Sequence, residues 1–346
     1  MFLSMAKRVT LKDIAQKAKV HFTTVSLALK NDPRLPEQTR KRLQKLADEM
    51  GYVPDAAMKA LCAYRQTNRP HPIRTAMAYL TDMPQAHPLS RFIYNKAREK
   101  AASIGYNLIE SNLGESNTTL PSCMRVWRNM GIKGVVIGPF LDPEPLAEGS
   151  WDSWVTVAIG YTVERPQFNR VVPDLFHNLL EHFSILRRRG YERIGLLLYG
   201  NFNTKIYGIL HGAYLLDQAR HGSTRMSAHI LSKQSSPPLM RAWIEKKRLD
   251  AVVAPLEDYP SLLETGLRIP DDIGFSLLAY KPYDPNNPKG CSGMNLTLDN
   301  VAANAVSYLA SQLHENDFGI PDRPKCLLVP GVFEDGSSIR QEPQLV

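Results

Sequence analysis

The chain has 346 residues, of which 43% are apolar and 22% charged, an ordinary composition for a globular protein with room for more than one domain. It shows no membrane-length apolar run, no signal-peptide pattern and no CxxC pair among its four cysteines; a membrane protein, a disulfide framework and a zinc site are therefore not indicated, and we expect a cytoplasmic protein. The formal net charge of +8 is concentrated in residues 1–66, which hold 13 Lys and Arg against 6 Asp and Glu. A basic segment beside a nearly neutral body is typical of a polyanion-binding domain attached to a body with another role.

Three short helices are predicted in this basic segment. Apolar residues repeat at helical spacing over residues 11–18, resume over 25–29, and repeat again over 43–50. Thr10 and Asp13 have the form of a capping box, Pro36 can open the third helix, and Gly51 can follow its end. Because only a tight turn separates the first two helices, the pattern predicts a helix-turn-helix unit.

The second helix has two different faces when it is projected at about 100° per residue. Its core side carries Val25, Ala28 and Leu29. Its other side carries Thr23, Ser26, Leu27 and Lys30, with Phe22 at the border. Small hydroxyls approach phosphates and base edges closely, and a lysine adds charge for the backbone, so this face is predicted to lie in a DNA major groove.

Residues 9–63 resemble, without a gap, the DNA-binding headpiece of the LacI (lactose-repressor) family of bacterial transcription regulators. The shared motifs are Val9-Thr10-Leu11-Lys12-Asp13-Ile14-Ala15, Thr23-Thr24-Val25-Ser26, Thr39-Arg40 and Gly51-Tyr52-Val53-Pro54. The resemblance implies base contacts by Phe22, Thr23 and Leu27. It implies phosphate contacts by Thr10, His21, Thr24, Ser26, Lys30, Thr39 and Tyr52.

Three positions depart from the family pattern. Lys19 stands where the family has Gly or Asn, and His21 stands where it has Ser. Leu27 takes a place often held by Arg or His, so a donor to guanine is lost and contact with a thymine methyl is favoured instead. These departures bear on which operator is bound rather than on the groove-binding role.

Residues 55–63 are rich in helix formers, but an isolated helix of about nine residues is marginal in water. The resemblance implies a hinge helix that folds when two copies meet in the minor groove, with Leu61 as the wedge that kinks the duplex. Met58 replaces a small residue of the family at this hinge. The alternative interpretation is a linker helix that packs on its neighbours.

Beyond residue 74, apolar runs rich in β-formers alternate with helical stretches, a pattern typical of doubly wound parallel sheets. This region has more residues than a single hydrophobic core usually accommodates, so two lobes are expected. The predicted strands are Thr75–Leu80, Tyr106–Glu110, Gly134–Ile137, Trp154–Ile159, Arg193–Tyr199, Ala251–Ala254 and Gly274–Ala279. The predicted helices cover residues 89–103, 122–131, 174–189 and 237–248.

This body resembles the effector domain of the same family, which has the periplasmic-binding-protein fold. The resemblance rests on residues 190–194 and 267–274, each before a strand. It implies three crossings between the lobes and a small-molecule site at the carboxyl ends of the strands. The candidate effector contacts are Thr81, Asp82, Tyr161, Tyr199, Asp258 and Tyr280. In two places the family pattern is absent: Ile209 replaces a ligand-binding Arg, and residues 255–258 replace an Asn-Asp pair.

The predicted architecture is an all-α helix-turn-helix headpiece followed by an α/β, two-lobed, periplasmic-binding-protein-like domain. The expected boundaries are residues 8–54 for the headpiece, 55–73 for the hinge helix and linker, and 74–340 for the effector and dimerisation domain. The expected function is that of a homodimeric repressor, which binds a near-palindromic operator in double-stranded DNA and is modulated by a sugar-like effector.

Two other functions stay open at this point. One is a DNA-binding dimer without an effector, which acts as an architectural protein or a constitutive repressor. The other is an α/β enzyme fused to a helix-turn-helix. No phosphate-binding glycine loop and no GxSxG motif follows any predicted strand, and the nine histidines are scattered. Catalytic residues, cofactors and metals are therefore not expected.

Overall fold

The structure is a computed structural model that describes residues 9–29, 31–52, 75–115, 117–222, 226–231 and 235–341. Three predictions fall outside these described residues: the phosphate contact by Lys30, the hinge helix at residues 55–63 and the wedge role of Leu61.

The N-terminal region contains the three predicted helices. They are α1 (Leu11–Ala18), α2 (Phe22–Leu29) and α3 (Glu37–Glu49). The capping box at the start of α1 is confirmed, since the Thr10 side chain accepts from the Asp13 backbone while the Asp13 carboxylate accepts from the Thr10 backbone. One apolar cluster joins the three helices, with Ile14, Ala15, Val25, Ala28, Leu43 and Ala47 buried at its centre.

The turn between α1 and α2 depends on a left-handed residue. Lys19 ends α1 with a φ of 53°, a conformation that costs a non-glycine residue some strain and explains why related sequences place Gly or Asn here. Two side chains of α3 then hold the end of α2. Gln44 donates to the Ala28 carbonyl at 2.8 Å, and Arg40 donates to the Asn31 carbonyl at 3.0 Å. These bonds fix the direction in which α2 presents its outer face.

The first lobe of the body is built on a six-stranded, wholly parallel sheet in the order β11-β5-β4-β3-β1-β2. Its strands are β1 (Ala76–Thr81), β2 (Asn107–Asn112), β3 (Gly134–Ile137), β4 (Val155–Ile159), β5 (Asn169–Pro173) and β11 (Cys326–Val329). Its helices are α4 (Pro88–Ser103), α5 (Leu120–Asn129), α6 (Glu144–Ala147) and α12 (Leu298–Glu315).

The second lobe contains another six-stranded sheet, in the order β12-β10-β9-β8-β6-β7, and only β12 is antiparallel to its neighbour. Its strands are β6 (Ile194–Tyr199), β7 (Met226–Leu231), β8 (Ala251–Ala254), β9 (Gly274–Tyr280), β10 (Ser292–Asn295) and β12 (Val332–Glu334). Its helices are α7 (Leu175–Arg188), α8 (Gly200–Lys205), α9 (Ile209–His221), α10 (Pro237–Lys247) and α11 (Tyr259–Leu263), with a 3₁₀ turn at Leu256–Asp258.

The chain crosses between the lobes three times, as the resemblance implies. The crossings follow β5, β10 and β11. Helix α12 follows strand β10 of the second lobe in the chain, but it packs in the first lobe, where it buries Val301, Ala305 and Leu309 in the core. The prediction of doubly wound parallel sheets in two lobes is confirmed. Five strands are additional to the prediction, namely β5, β7, β10, β11 and β12.

Candidate functional site

The outer face of α2 presents a small, mostly uncharged surface. Val25 and Ala28 are buried against α1 and α3, as the projection predicts. Phe22 is 44% exposed and Thr23 is exposed beside it. Thr24, Ser26 and Leu27 are half-buried. The exposed part of the helix is therefore its first turn, which offers an aromatic ring and hydroxyls to a partner.

His21 takes the place of a helix cap at the start of α2. Its Nδ1 lies 2.9 Å from Thr23 Oγ1 and 3.5 Å from the Thr23 backbone nitrogen. Its ring also packs on Phe22, with 4.5 Å between the ring centroids. A side-chain acceptor at this position can accept from one of the free N–H groups of a helix start. His21 therefore orders the two side chains that are predicted to face the bases.

The other predicted phosphate contacts lie at helix ends. Thr10 precedes α1 and is exposed, and its hydroxyl donates to Asp13 Oδ2 at 2.7 Å. Thr39 lies in the first turn of α3 and Tyr52 follows its end, and both are half-buried. A helix N-terminus favours a phosphate because its backbone N–H groups are free and its dipole is positive there. One candidate phosphate contact therefore lies at the start of each helix: Thr10 at α1, His21 at α2 and Thr39 at α3.

On the first lobe, two effector candidates already have hydrogen-bond partners within the protein. The Thr81 hydroxyl is fully buried, donates to the Pro139 carbonyl at 2.7 Å and accepts from the Met83 backbone at 3.2 Å. Both carboxylate oxygens of Asp82 accept backbone N–H groups of residues 141 and 142 at 2.7 Å. These side chains therefore fix the loop that follows β3.

On the second lobe, Tyr199 and Asp258 are brought together. The Tyr199 hydroxyl donates to Asp258 Oδ2 at 2.6 Å, and Asp258 Oδ1 accepts from the Ser235 backbone at 3.0 Å. Asp258 is fully buried, and burial raises the pKa of its carboxyl above the usual range despite these donors. Burial, together with the bond to Asp258, raises the pKa of Tyr199 as well. Tyr280 is half-buried at the end of β9.

Two aromatic pairs join the lobes across the cleft. Tyr161, from the loop after β4, packs on the core of the second lobe and meets Tyr207 edge-on, with 6.4 Å between centroids. Burial raises the pKa of Tyr161 to about 12. Phe92 of α4 stacks on Tyr283 of the second lobe at 4.5 Å. The sequence gives no local signal for Phe92, Tyr207 or Tyr283, because each contact joins residues that are far apart in the chain.

Among the residues that the structure describes, no group of three His, Cys, Asp or Glu side chains is arranged to hold a metal ion. Within the same residues, no helix has both the length and the apolar character that crossing a membrane requires.

Residues 10–55 match the family model of bacterial regulatory proteins of the lacI family. The probable HTH-type transcriptional repressor ExuR of Bacillus subtilis is 47% identical over 53 residues, which cover 15% of this chain and 16% of ExuR. The HTH-type transcriptional regulator GanR of the same organism is 26% identical over 206 residues, which cover 56% of this chain and 55% of GanR. The matches thus span less than two thirds of these relatives. Their names indicate transcription regulators rather than enzymes.

The whole fold is similar to that of solved lacI-family structures. The structure of the lac repressor dimer bound to operator and the anti-inducer ONPF superimposes with a TM-score of 0.55 at 15% identity, covering 96% of this chain and 100% of that chain. At this identity the likeness concerns the fold, and it extends over the headpiece and both lobes. The chain thus combines a segment that matches the lacI family model, at residues 10–55, with an overall fold similar to that of the lac repressor.

Proposed function

We propose that the chain is a sequence-specific DNA-binding transcription repressor that acts in the cytoplasm as a homodimer. The observation that carries this proposal is the outer face of α2, where Phe22 and Thr23 are exposed within the matched helix-turn-helix. ExuR is named a repressor, and the lac repressor is titled as a dimer bound to operator. Because a two-fold dimer presents two identical helices, the operator is a near-palindrome in double-stranded DNA.

In this proposal each of the three segments of the chain has its own role. Residues 8–54 bind the major groove, residues 55–73 act as hinge and linker, and residues 74–340 dimerise and bind the effector. Thr10, His21, Thr24, Ser26, Lys30, Thr39 and Tyr52 contact phosphates in this proposal. Phe22, Thr23 and Leu27 face bases, and Leu61 enters the minor groove.

The effector in this proposal is a sugar-like molecule bound between the lobes near Thr81, Asp82, Tyr161, Tyr199, Asp258 and Tyr280. It changes operator affinity because it binds the open and closed arrangements of the lobes with different affinities. A second candidate function is a repressor without an effector. The aromatic pairs that join the lobes, and the internal hydrogen bonds of Thr81, Asp82, Tyr199 and Asp258, favour it.

Selection of binding sites from a random DNA pool tests the proposed function. The full chain should enrich a near-palindrome whose half-sites are related by two-fold symmetry. A thermal-shift screen of the same protein against sugars, sugar phosphates and nucleobases then separates the two candidates. A stabilising compound that changes operator affinity supports the effector, and the absence of any stabilising compound supports the repressor without one.

A further inference from the structure

Lys19 has a backbone conformation that is unusual for its residue type. It ends α1 with a φ of 53° and a ψ of 44°, in the left-handed region. There the Cβ of an L-residue comes too close to the following carbonyl oxygen, so glycine and, less often, asparagine normally occupy this region. A lysine at this position therefore makes the turn between α1 and α2 less stable than a glycine would.

The turn itself does not require a lysine. Its backbone forms the bonds that usually end a helix, because the Lys19 N–H donates to the carbonyls of Ala15 and Gln16. The Val20 N–H donates to the Ala15 carbonyl at 3.1 Å, and the Val20 side chain packs against the apolar cluster of the headpiece. These interactions use only backbone atoms and Val20, so a glycine at position 19 would form them equally well.

Contacts within the headpiece do not account for the lysine either. Its side chain is exposed, and its ammonium group forms no hydrogen bond or ion pair with any residue that the structure describes. A cation near the end of a helix is favoured by the helix dipole, but Lys17 already supplies one in the last turn of α1. Three other cations of the headpiece are held by partners within it, namely Arg34, Arg40 and Lys41.

Lys19 lies next to the surface that is proposed to meet DNA. Phe22, the first residue of α2, is three residues further along the chain, so their Cα atoms are at most about 11 Å apart. His21, Phe22 and Thr23 are all exposed. A lysine carries its charge on a flexible four-carbon stem, and the free N–H groups at the start of a helix favour a phosphate there. The Lys19 ammonium therefore lies within reach of a phosphate beside the start of α2.

We propose that Lys19 contacts a phosphate of the operator beside the start of α2, and that this contact offsets the unfavourable backbone conformation. This inference rests on the proposed function and adds a contact to those that the resemblance implies. Because a phosphate contact carries no sequence information, Lys19 raises the affinity for duplex DNA without selecting a base. A two-fold dimer makes two such contacts.

The salt dependence of operator binding tests this proposal. Each phosphate contact contributes about 0.9 to the slope of the logarithm of affinity against the logarithm of salt concentration. Removing Lys19 from both protomers should therefore lower the slope by about two. Between 50 and 200 mM salt, Lys19→Gly should lose about tenfold less affinity than the parent loses. At 50 mM salt it should bind the operator more weakly than the parent.

Three further variants separate the charge from the backbone conformation. Lys19→Asn removes the charge but keeps a side chain that tolerates the left-handed region, and its slope should match that of Lys19→Gly. Lys19→Arg keeps the charge and should keep the slope of the parent. Lys17→Gln removes the same charge from an exposed position two residues earlier, and it should leave the slope unchanged.

Hydrogen exchange of the headpiece amides in the full chain shows whether the variants are folded. Because glycine adopts the left-handed conformation without strain, these amides should exchange more slowly in Lys19→Gly than in the parent. Weaker DNA binding by a more stable headpiece is a result that a merely structural role of Lys19 would not produce.

Equal slopes for the parent, Lys19→Gly and Lys19→Asn would overturn the proposal. The same loss of slope in Lys17→Gln as in Lys19→Gly would also overturn it, because any positive charge on this part of the headpiece would then act alike. Failure of the proposed function gives a different result, since the affinity of the parent itself would then be weak or nearly independent of salt.

Discussion

The ring of Phe92 stacks on the ring of Tyr283 with 4.5 Å between their centroids, and this contact joins the two lobes of the body. Tyr161 and Tyr207 form a second contact between the lobes. The relative position of the lobes therefore depends on the protein's own side chains at two points of the cleft. In a regulator of this architecture, lobe position is the quantity that an effector has to change.

Tyr283→Ala should shift the lobes toward an open arrangement. An aromatic pair contributes roughly 0.5–1.5 kcal/mol beyond its area, so the equilibrium between closed and open lobes should move about fivefold. Small-angle scattering should report a larger radius of gyration. Phe176→Ala removes an exposed aromatic ring of the second lobe and serves as the control. Identical scattering of the Tyr283 variant and the parent would show that this pair does not hold the lobes.

Tyr199→Phe should destabilise the body at neutral pH by about 1–3 kcal/mol, because the buried Asp258 carboxylate then loses a donor. Burial already raises the pKa of Asp258, so its ionised form is the costly one in the folded state. Losing the donor raises this pKa further. The loss of unfolding free energy in the variant should therefore become smaller as the pH falls through the pKa of Asp258 in the folded variant, because Asp258 is then protonated.

Urea unfolding of the parent and of Tyr199→Phe at pH 7 and at lower pH measures this difference. Tyr308→Phe removes a buried hydroxyl that has no partner among the described residues and is the matched control. A deficit that is the same at every pH would mean that the Asp258 carboxylate is not involved.

His21→Ala should weaken operator binding, because it removes the acceptor at the start of α2 and the ring that packs on Phe22. Loss of a helix cap costs typically about 1 kcal/mol of helix stability, and if that cost is met when α2 is ordered on DNA, it lowers the affinity about fivefold. His21→Ser restores a cap without the ring. Filter binding of both variants separates capping from ring packing. Equal affinities of the Ala variant and the parent would remove His21 from the interface.

Leu27→Arg should create a preference for guanine at one base pair in each half-site, because Leu27 has no donor for a base edge. Thr24→Ala should instead weaken binding to all sequences alike, as expected of a phosphate contact. Sites selected from a random pool by the parent and by each variant provide the comparison. The same consensus for the parent and the Arg variant would mean that α2 is docked in another orientation.

The sequence predicts those elements whose own residues carry the pattern. The apolar runs Gly134–Ile137 and Ala251–Ala254 are strands with the predicted bounds. The sequence does not predict strand β5, because Asn169, Arg170 and Pro173 interrupt its apolar run. It does not predict β10 either, because half of that strand is Ser and Asn. The position of a helix in the chain also does not predict the lobe in which it packs, since α12 follows strands of the second lobe but packs in the first.

The headpiece was more predictable than the cleft for a physical reason. Its contacts are local, so helical spacing places Val25 and Ala28 in the core and leaves Phe22 and Thr23 outside. The cleft depends on contacts across long separations, such as Phe92 with Tyr283 and Tyr199 with Asp258. The carboxyl ends of the strands identify candidate effector contacts in the cleft. They do not show which of these side chains already form hydrogen bonds with one another.

If the chain binds DNA through phosphate contacts, its affinity should depend strongly on salt, because the basic charge is concentrated in residues 1–66. A dimer that makes several phosphate contacts in each half-site should lose at least ~10³-fold in affinity between 50 and 200 mM salt. The measurement is a filter-binding titration of the full chain on its selected operator across that range. We predict this steep loss of affinity. An affinity that is nearly independent of salt would contradict it, because binding would then not rest on contacts with DNA phosphates.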